Sequence, residues 1–243
     1  MNLVVDIGNT SVKAAVFQNN SLTEKISFPR EKFFEKISDF LRKFPSVDHS
    51  ILSSVVKEVS EELEFLQKHT SVVLLDNDTR LPFKNHYATP KTLGKDRIAL
   101  TAAACLQYPG ENVLVIDAGT CVTYDFKSER EEYLGGAISP GLSMRFRALH
   151  EFTSKLPLVA PEEKTELEGS STEESINTGV LMGLRLEIDG MIDSYREKKK
   201  FLTVILTGGD MQILSVRLKN SIFANPNFLL SGLNYILEFN KTQ

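Results

Sequence analysis

The sequence predicts a mixed α/β protein made of two halves that begin alike. Hydrophobic residues recur with a period of two in some segments and of 3.6 in others, which is typical of strands and helices within one fold. The opening pattern VVDIGNTSVKAAVF, residues 4–17, has a near copy in VIDAGTCVTYDF, residues 115–126. Pro109 and Gly110 precede the second copy. We therefore predict two domains, at 1–109 and 110–243.

Each half is expected to open with three strands. In the first half the pattern predicts strands at 2–6, 11–17, 22–28, 50–54 and 71–75, and helices at 30–44, 57–68 and 93–108. Segment 76–91 contains two prolines and is expected to be irregular. In the second half, strands at 112–117, 121–126 and 130–134 are followed by helical segments, a strand at 201–206 and a helix at 211–218.

The composition indicates a folded, weakly acidic chain. Its 243 residues, 42% of them hydrophobic, can form one large domain or two of about 120 residues. The 28 basic and 32 acidic residues give a net charge of −4, and without a Lys/Arg stripe we expect no nucleic-acid partner. No apolar stretch reaches the roughly 18 residues of a membrane span, so we expect no membrane partner. Two cysteines and no basic leader favour a cytoplasmic protein.

The two similar turns suit a phosphate group. A strand that ends in Asp and turns on Gly and Thr presents backbone N–H groups and a hydroxyl at one tight place. An Asp carboxylate would repel a phosphate by roughly 1 kcal/mol in water at 4 Å, and by about 4 kcal/mol at an effective dielectric constant of 20. A cation between them reverses that sign, so the pattern predicts Mg²⁺. The alternative is that both turns are ordinary hairpins, since Asp, Asn, Gly and Thr favour turns.

A third glycine turn follows an apolar run. LTGGD, residues 206–210, lies between a predicted strand and a predicted helix. Paired glycines let backbone lie close to a ligand, and a nucleoside is the candidate beside two phosphate turns. The sequence has neither GxxxxGK[ST] nor a GxGxxG that opens a helix, which excludes a P-loop and leaves a dinucleotide fold unsupported.

The three turns, in this order, resemble the acetate and sugar kinase, Hsp70 and actin superfamily, in which two ribonuclease-H-like domains with mixed sheets hold ATP. Within it the chain resembles the type III pantothenate kinase family, which phosphorylates pantothenate with ATP at the start of coenzyme A synthesis. The matching segments run from end to end: DIGNTSVK, YATPKTLGKDR, DAGTCVTYD, GGAISPG, STEESINTG and LTGG. The glycine turn TGGD and the C-terminus are short for the family.

The resemblance implies a role for each motif. Asp96 is expected to be the general base, at a helix start where backbone N–H groups favour its anion. An ordinary helix-start charge is the alternative. The implied pantothenate contacts are Tyr87, Gly94, Lys95, Asp96, Arg97 and Thr178. The implied ATP contacts are Asp6, Ile7, Gly8, Asn9, Thr10, Ser11, Val12, Lys13, Gly119, Thr120, Gly208 and Gly209. Two metal sites are implied, Mg²⁺ at Asp6 and K⁺ or NH₄⁺ at Asp117, and Gly135, Gly136 and Gly141 are expected beside the cleft.

A long helix is predicted from Ser171 towards Lys198. Ser171 and Glu174 form a capping box, and Gly179 and Gly183 would permit close approach of another backbone. An apolar stripe runs along this helix through Ile176, Val180, Leu184, Ile188, Met191 and Tyr195. The stripe alone indicates a core-facing helix. The family resemblance implies a homodimer in which this helix meets its mate and Thr178 reaches the neighbour's pantothenate.

Two other functions stay open at this stage. One is a different small-molecule kinase of the same superfamily, acting on another acid or a sugar. The other is a nucleotide-binding regulator that holds ATP without transferring its phosphate. Asp6, Asp96 and Asp117 are all present, so no missing residue points to the regulator.

Overall fold

The computed structural model describes residues 1–9, 11–56, 58–163 and 166–241, which form two compact units. The first unit contains Met1–Pro109, Glu131–Tyr133 and the C-terminal segment from Asn227. The second contains Gly110–Arg130 and Leu134–Pro226. These units differ from the predicted division at 109 and 110 in two segments, because 131–133 and the C-terminal helix pack with the first half.

The first unit is a mixed sheet between two layers of helices. Its strands are β1 (Asn2–Ile7), β2 (Val12–Gln18), β3 (Ser21–Phe28), β4 (His49–Ser54) and β5 (Ser71–Leu74), in the order β3-β2-β1-β4-β5. β1 pairs with β2 antiparallel and with β4 parallel. Its helices are α1 (Phe33–Lys43), α2 (Ser60–Gln67), α3 (Lys95–Gln107) and α8 (Phe228–Lys241).

Strand β1 is buried throughout, and its continuous apolar run Leu3–Val5 is typical of a strand covered on both faces. Leu3, Val5 and Ile7 share a core with α1 and α2. Val4, from the other face, belongs to a core built with α3 and α8. The end of this central strand, at Asp6 and Ile7, is therefore held by packing on both faces of the sheet.

The second unit repeats this plan. Its strands are β7 (Asn112–Ala118), β8 (Cys121–Lys127), β9 (Glu132–Pro140, in this unit from Leu134), β10 (Leu202–Thr207) and β11 (Phe223–Ala224), in the order β11-β10-β7-β8-β9. β7 pairs with β8 antiparallel and with β10 parallel, as β1 does with β2 and β4. Its helices are α4 (Leu142–Glu151), α5 (Thr172–Asn177), α6 (Gly183–Lys198) and α7 (Met211–Ser215). The predicted fold class is confirmed: two mixed sheets flanked by helices.

Three local predictions need correction. The helix predicted from Ser171 is interrupted at Thr178–Met182 by a π-helical segment between α5 and α6. The strand predicted at 130–134 extends as β9 to Pro140. The segment predicted as irregular contains β6 (Lys84–Asn85), which pairs in parallel with Glu132 and Tyr133.

The apolar stripe of the interrupted helix faces its own unit. Ile176, Val180, Leu184 and Ile188 are buried in the core with β7, β8 and β10, and Met191 and Tyr195 pack against that core. The core-facing alternative is therefore correct for these six side chains, and they are not a surface for a second chain.

Candidate functional site

The first Asp-Gly turn is closed by its own backbone. Gly8 N–H donates to Ser11 O at 3.1 Å, and Asp6 lies opposite Lys13 in the β1–β2 register. Asp6 is buried, with 8% of its surface exposed, whereas Asn9 is exposed. Thr10, which was predicted to contact ATP, lies outside the described residues.

Asp6 and Asp96 lie close enough for their charges to interact. Burial raises the pKa of the Asp6 carboxyl, and the negative charge of Asp96 raises it further, whereas Lys13 and Ser53 act in the opposite direction. Two carboxylates from motifs ninety residues apart in the chain therefore share one region of the first unit. A cation would relieve their repulsion, and carboxylates are ligands that Mg²⁺ accepts. In the described part of the chain, no three His, Cys, Asp or Glu side chains form a metal-binding group.

Asp96 is fixed at the N-terminus of α3. Gly94 is the N-cap residue, and a Cβ at that position would overlap the Asp96 carboxylate. Asp96 Oδ1 accepts a hydrogen bond from Arg97 N–H at 2.9 Å. Glycine thus allows the carboxylate to fold back over the first turn of the helix, where it accepts this backbone hydrogen bond.

Arg97 lies against two aromatic rings. Its Cζ is 5.6 Å from the ring centroid of Tyr87 and 5.9 Å from that of Tyr133, and the two rings are 6.0 Å apart. Arg97 is 4% exposed and Tyr133 is fully buried. The rings hold the guanidinium in place through cation–π contacts, which are stronger in desolvated surroundings.

Tyr133 was not predicted as a site residue. It is the second residue of β9 and belongs to the first unit, where its carbonyl accepts from His86 N–H at 3.0 Å beside the short β6. In the sequence it is a single aromatic residue before GGAISPG. Only the pairing of β6 with β9, two short segments distant in sequence, brings it to Arg97.

The second unit brings the other two turns together. Asp117 lies opposite Thr207 in the β7–β10 register, so both turns follow neighbouring parallel strands. Gly208 has a φ of +97°, and a Cβ there would overlap Ala118 O. Asp210 N–H donates to the same Ala118 oxygen at 2.9 Å. The TGG turn therefore packs directly on the Asp-Ala-Gly-Thr turn.

Gly141 also packs on the second turn. Its N–H donates to Thr120 O at 3.1 Å, and a Cβ at Gly141 would overlap the carbonyl oxygens of Gly119 and Thr120. Asp117 is half-buried, and a Cβ at Gly208 would overlap both its Oδ1 and the carbonyl oxygen of Ala118. A carboxylate near carbonyl and hydroxyl oxygens is a suitable donor set for K⁺ or NH₄⁺.

Thr178 has a partner within its own chain. Its hydroxyl donates to Glu166 O at 2.8 Å, at the start of the π-helical segment. It thus belongs to the second unit, whereas the other predicted pantothenate contacts, Tyr87 and Gly94 to Arg97, belong to the first.

Comparison with known proteins decides the family. The family model described as type III pantothenate kinase matches residues 2–194. The chain belongs to the type III pantothenate kinase family. A type III pantothenate kinase from Christiangramia forsetii is 60% identical over 243 residues, 100% of both chains. Membership makes this protein a kinase of coenzyme A biosynthesis that uses ATP and pantothenate.

Solved structures agree on the fold. A protein from Campylobacter jejuni, assigned to the Baf family of transcriptional activators, superposes with a TM-score of 0.68 and 22% identity over 99% of this chain and 100% of its own. A glucokinase from an Antarctic psychrotroph gives a TM-score of 0.52 and 12% identity over 98% of both chains. The fold of this pantothenate kinase family member is thus that of the actin-like ATPases and sugar kinases. No helix in the described part of the chain combines the length and apolar character needed to cross a membrane.

Proposed function

We propose that this cytoplasmic protein transfers the γ-phosphoryl group of ATP to the 4'-hydroxyl of pantothenate, with Asp96 as the general base. Phosphoryl transfer asks the protein to align the hydroxyl, neutralise charge and accept one proton. The observation that carries the assignment is the position of Asp96, fixed at the start of α3 by Gly94 and close to the buried Asp6. One carboxylate can thus accept the proton while the other lies near the phosphates.

The pantothenate site is proposed around Arg97. Pantothenate carries a carboxylate, and a guanidinium binds carboxylates through charge-assisted hydrogen bonds. The rings of Tyr87 and Tyr133 against Arg97 support this assignment, because they hold the cation, and the partly exposed Tyr87 would supply an apolar wall for the methyl groups of pantothenate. Gly94 and Lys95 are proposed as further contacts, from the same turn.

The nucleotide site is proposed at the three turns. Residues 6–13 and Gly119 with Thr120 would bind the phosphates, and Gly208 with Gly209 would approach the nucleoside. Asp6 would hold Mg²⁺, which neutralises charge on the phosphates when it is bound. Asp117 would hold K⁺ or NH₄⁺ beside the second turn. The buried carboxylate of Asp6, repelled by that of the partly buried Asp96, and the carbonyl oxygens around Gly141 support the two cation sites.

A homodimer is proposed, with Thr178 of each chain contacting the pantothenate of its neighbour. The apolar stripe of α6 is buried in its own unit, so a different face must be used. Gly179, Gly183 and Gly190 have open space where a Cβ would lie, and Leu186 is 64% exposed. These four residues recur at helical spacing on the outward face, which supports close approach of a second helix.

Product analysis tests the proposed function. Purified protein is incubated with ATP, Mg²⁺ and pantothenate in K⁺ or Na⁺ buffer, and phosphopantothenate is measured by mass spectrometry. We expect product in K⁺ and much less in Na⁺. A panel of other acids and sugars should give no phosphorylated product. Product from a panel member and none from pantothenate would favour another small-molecule kinase, and nucleotide binding without any product would favour a regulator.

The shared site is tested by mixing inactive chains. Asp96→Asn removes the base, and Thr178→Val removes the hydroxyl proposed to act across the interface. Heterodimers of the two variants should recover activity at one of their two sites. A protein that is monomeric during turnover, or mixed dimers without recovered activity, would contradict the shared site.

A further inference from the structure

A short segment outside the three nucleotide turns supports the second of them. The end of β9 and the residue after it, Ser139–Gly141, lie against the turn Asp117–Thr120. Gly141 is in direct backbone contact with Gly119 and Thr120, closely enough that a Cβ would overlap both carbonyl oxygens. The place of the second turn therefore depends on the place of Ser139–Gly141.

One side chain holds this segment at two points. Arg145, in the first turn of α4, donates from Nε to Pro140 O at 2.9 Å and from Nη2 to Ser139 Oγ at 2.9 Å. A planar guanidinium with several donors in fixed directions can make such paired contacts, whereas a lysine ammonium cannot reproduce them. Arg145 thus fixes both the backbone and a side chain of Ser139–Gly141.

Arg145 is in turn held by Glu187 of α6. Nη2 of Arg145 donates to Glu187 Oε2 at 2.5 Å, and the hydroxyl of Tyr124 donates to Glu187 Oε1 at 3.0 Å. The ion-pair side chains are 22% and 29% exposed, so water screens the pair less than it would on the surface. The Glu187 carboxylate therefore links its own helix, α6, to α4 through Arg145 and to β8 through Tyr124.

The Glu187 carboxylate is ionised at physiological pH. Burial opposes ionisation of Glu187, but hydrogen bonds from Arg145, Ser139 and Tyr124 lower its pKa overall. Burial, with the adjacent Glu187 charge, raises the pKa of the Tyr124 phenol, so Tyr124 remains a neutral donor. The contact is a fixed support, not a pH switch.

We propose that Arg145 and Glu187 are positioning residues that fix the second turn, Asp117–Thr120, for binding the phosphates of ATP. The inference rests on the proposed function for the assignment of this turn to nucleotide. Neither side chain needs to touch the ligand: Arg145 places Ser139–Gly141, and Gly141 places Gly119 and Thr120. Loss of the pair should therefore weaken nucleotide binding and leave the pantothenate contacts in the first unit unaffected.

The test uses Arg145→Gln and Glu187→Gln, with Arg147→Gln as the matched control. Arg147 is on the same helix and pairs with Glu151 at 2.8 Å, but both are exposed. We measure ADP affinity by calorimetry, KM for ATP and for pantothenate, and hydrogen exchange in peptides that cover 117–121 and 139–141. Melting temperatures confirm that each variant is folded, and Arg145→Lys serves as a second, milder variant.

We expect ADP affinity to fall about tenfold in Arg145→Gln and less in Glu187→Gln, with faster exchange in both peptides. KM for pantothenate should stay within twofold, and the double variant should be no worse than Arg145→Gln, because the two residues act in series. Equal changes in both KM values, or effects no larger than those of Arg147→Gln, would overturn the proposal.

The inference and the proposed function can fail separately. If the wild-type protein binds ADP but does not phosphorylate pantothenate, the proposed function fails while the binding and exchange data still decide the role of Arg145. If the wild-type protein binds no nucleotide, both are overturned.

Discussion

Replacing Tyr133 by leucine separates the aromatic support of Arg97 from simple core packing. Leucine keeps much of the apolar volume but removes the ring that lies 5.9 Å from the guanidinium, 6.0 Å from Tyr87 and 6.3 Å from Phe83. A desolvated cation–π contact contributes about 2 kcal/mol, and each aromatic pair about 0.5 to 1.5 kcal/mol. We therefore expect Tyr133→Leu to lower the free energy of unfolding by roughly 3 to 5 kcal/mol.

Of these energies, only the cation–π contact with Arg97 should affect the binding of pantothenate. Because about 1.4 kcal/mol corresponds to a factor of ten, KM for pantothenate should rise about 10- to 30-fold. KM for ATP should change little. Tyr133→Phe keeps the ring and should bind pantothenate within about threefold of wild type.

Steady-state kinetics at saturating co-substrate, together with urea denaturation, measure both effects. A Tyr133→Leu protein that is folded and has an unchanged KM for pantothenate would refute the role of the ring in holding Arg97. A parallel rise in KM for ATP would show a general loss of structure instead.

Three further predictions concern burial, close approach and charge. Because burial raises the pKa of Asp6, its ionisation destabilises the ligand-free fold as pH rises. Asp6→Asn should raise the free energy of unfolding by about 0.5 to 2 kcal/mol at neutral pH and abolish phosphoryl transfer. Thermal denaturation that shows no stabilisation at pH 7, or a stabilisation that persists below pH 4, would contradict this. A Cβ at Gly232 would overlap Ala99 O between α8 and α3, so Gly232→Ala should cost about 1 to 3 kcal/mol in urea denaturation, and an unchanged midpoint would argue against that contact. The hydrogen bond with His49, and the N-terminal amino group, lower the pKa of Asp48 to about 2. Ionised Asp48 makes a small, screened contribution to folding stability, which is present above the ordinary carboxyl pKa and is lost as pH falls towards 2. In Asp48→Asn, stability should therefore depend less on pH in this range.

The features that the sequence predicted correctly are local. A hydrophobic run that ends in Asp and turns on Gly marks the end of a buried central strand, and β1 and β7 both end in this way. The same holds for α3, where Gly94 and Asp96 indicate a helix start. Such features need only a few neighbouring residues, which the sequence shows directly.

The features that were missed are non-local. Tyr133 reaches Arg97 through the pairing of β6 with β9, and α8 joins the first unit through its contact with α3 at Gly232. Neither a lone tyrosine nor a glycine within an apolar helix identifies its partner. Arg145 and Glu187 are likewise 42 residues apart and resemble ordinary charges on helix surfaces.

The interrupted helix has a different cause. Capping by Ser171 and the apolar spacing both predict a helix, and Ser171 Oγ indeed accepts from Glu174 N–H at 3.1 Å. Neither signal reports the π-helical turn at Thr178–Met182. Single π-helical turns often occur at functional sites, and this one begins at Thr178, the residue proposed to reach the neighbouring site.

Asp96 is proposed to accept the proton of the pantothenate hydroxyl. The most direct measurement is the single-turnover rate of phosphopantothenate formation for wild type and Asp96→Asn, both saturated with ATP, Mg²⁺, K⁺ and pantothenate. We expect the rate to fall about 10²- to 10⁴-fold, while the affinity for ADP is unchanged. An Asp96→Asn protein that transfers phosphate within tenfold of the wild-type rate would contradict it.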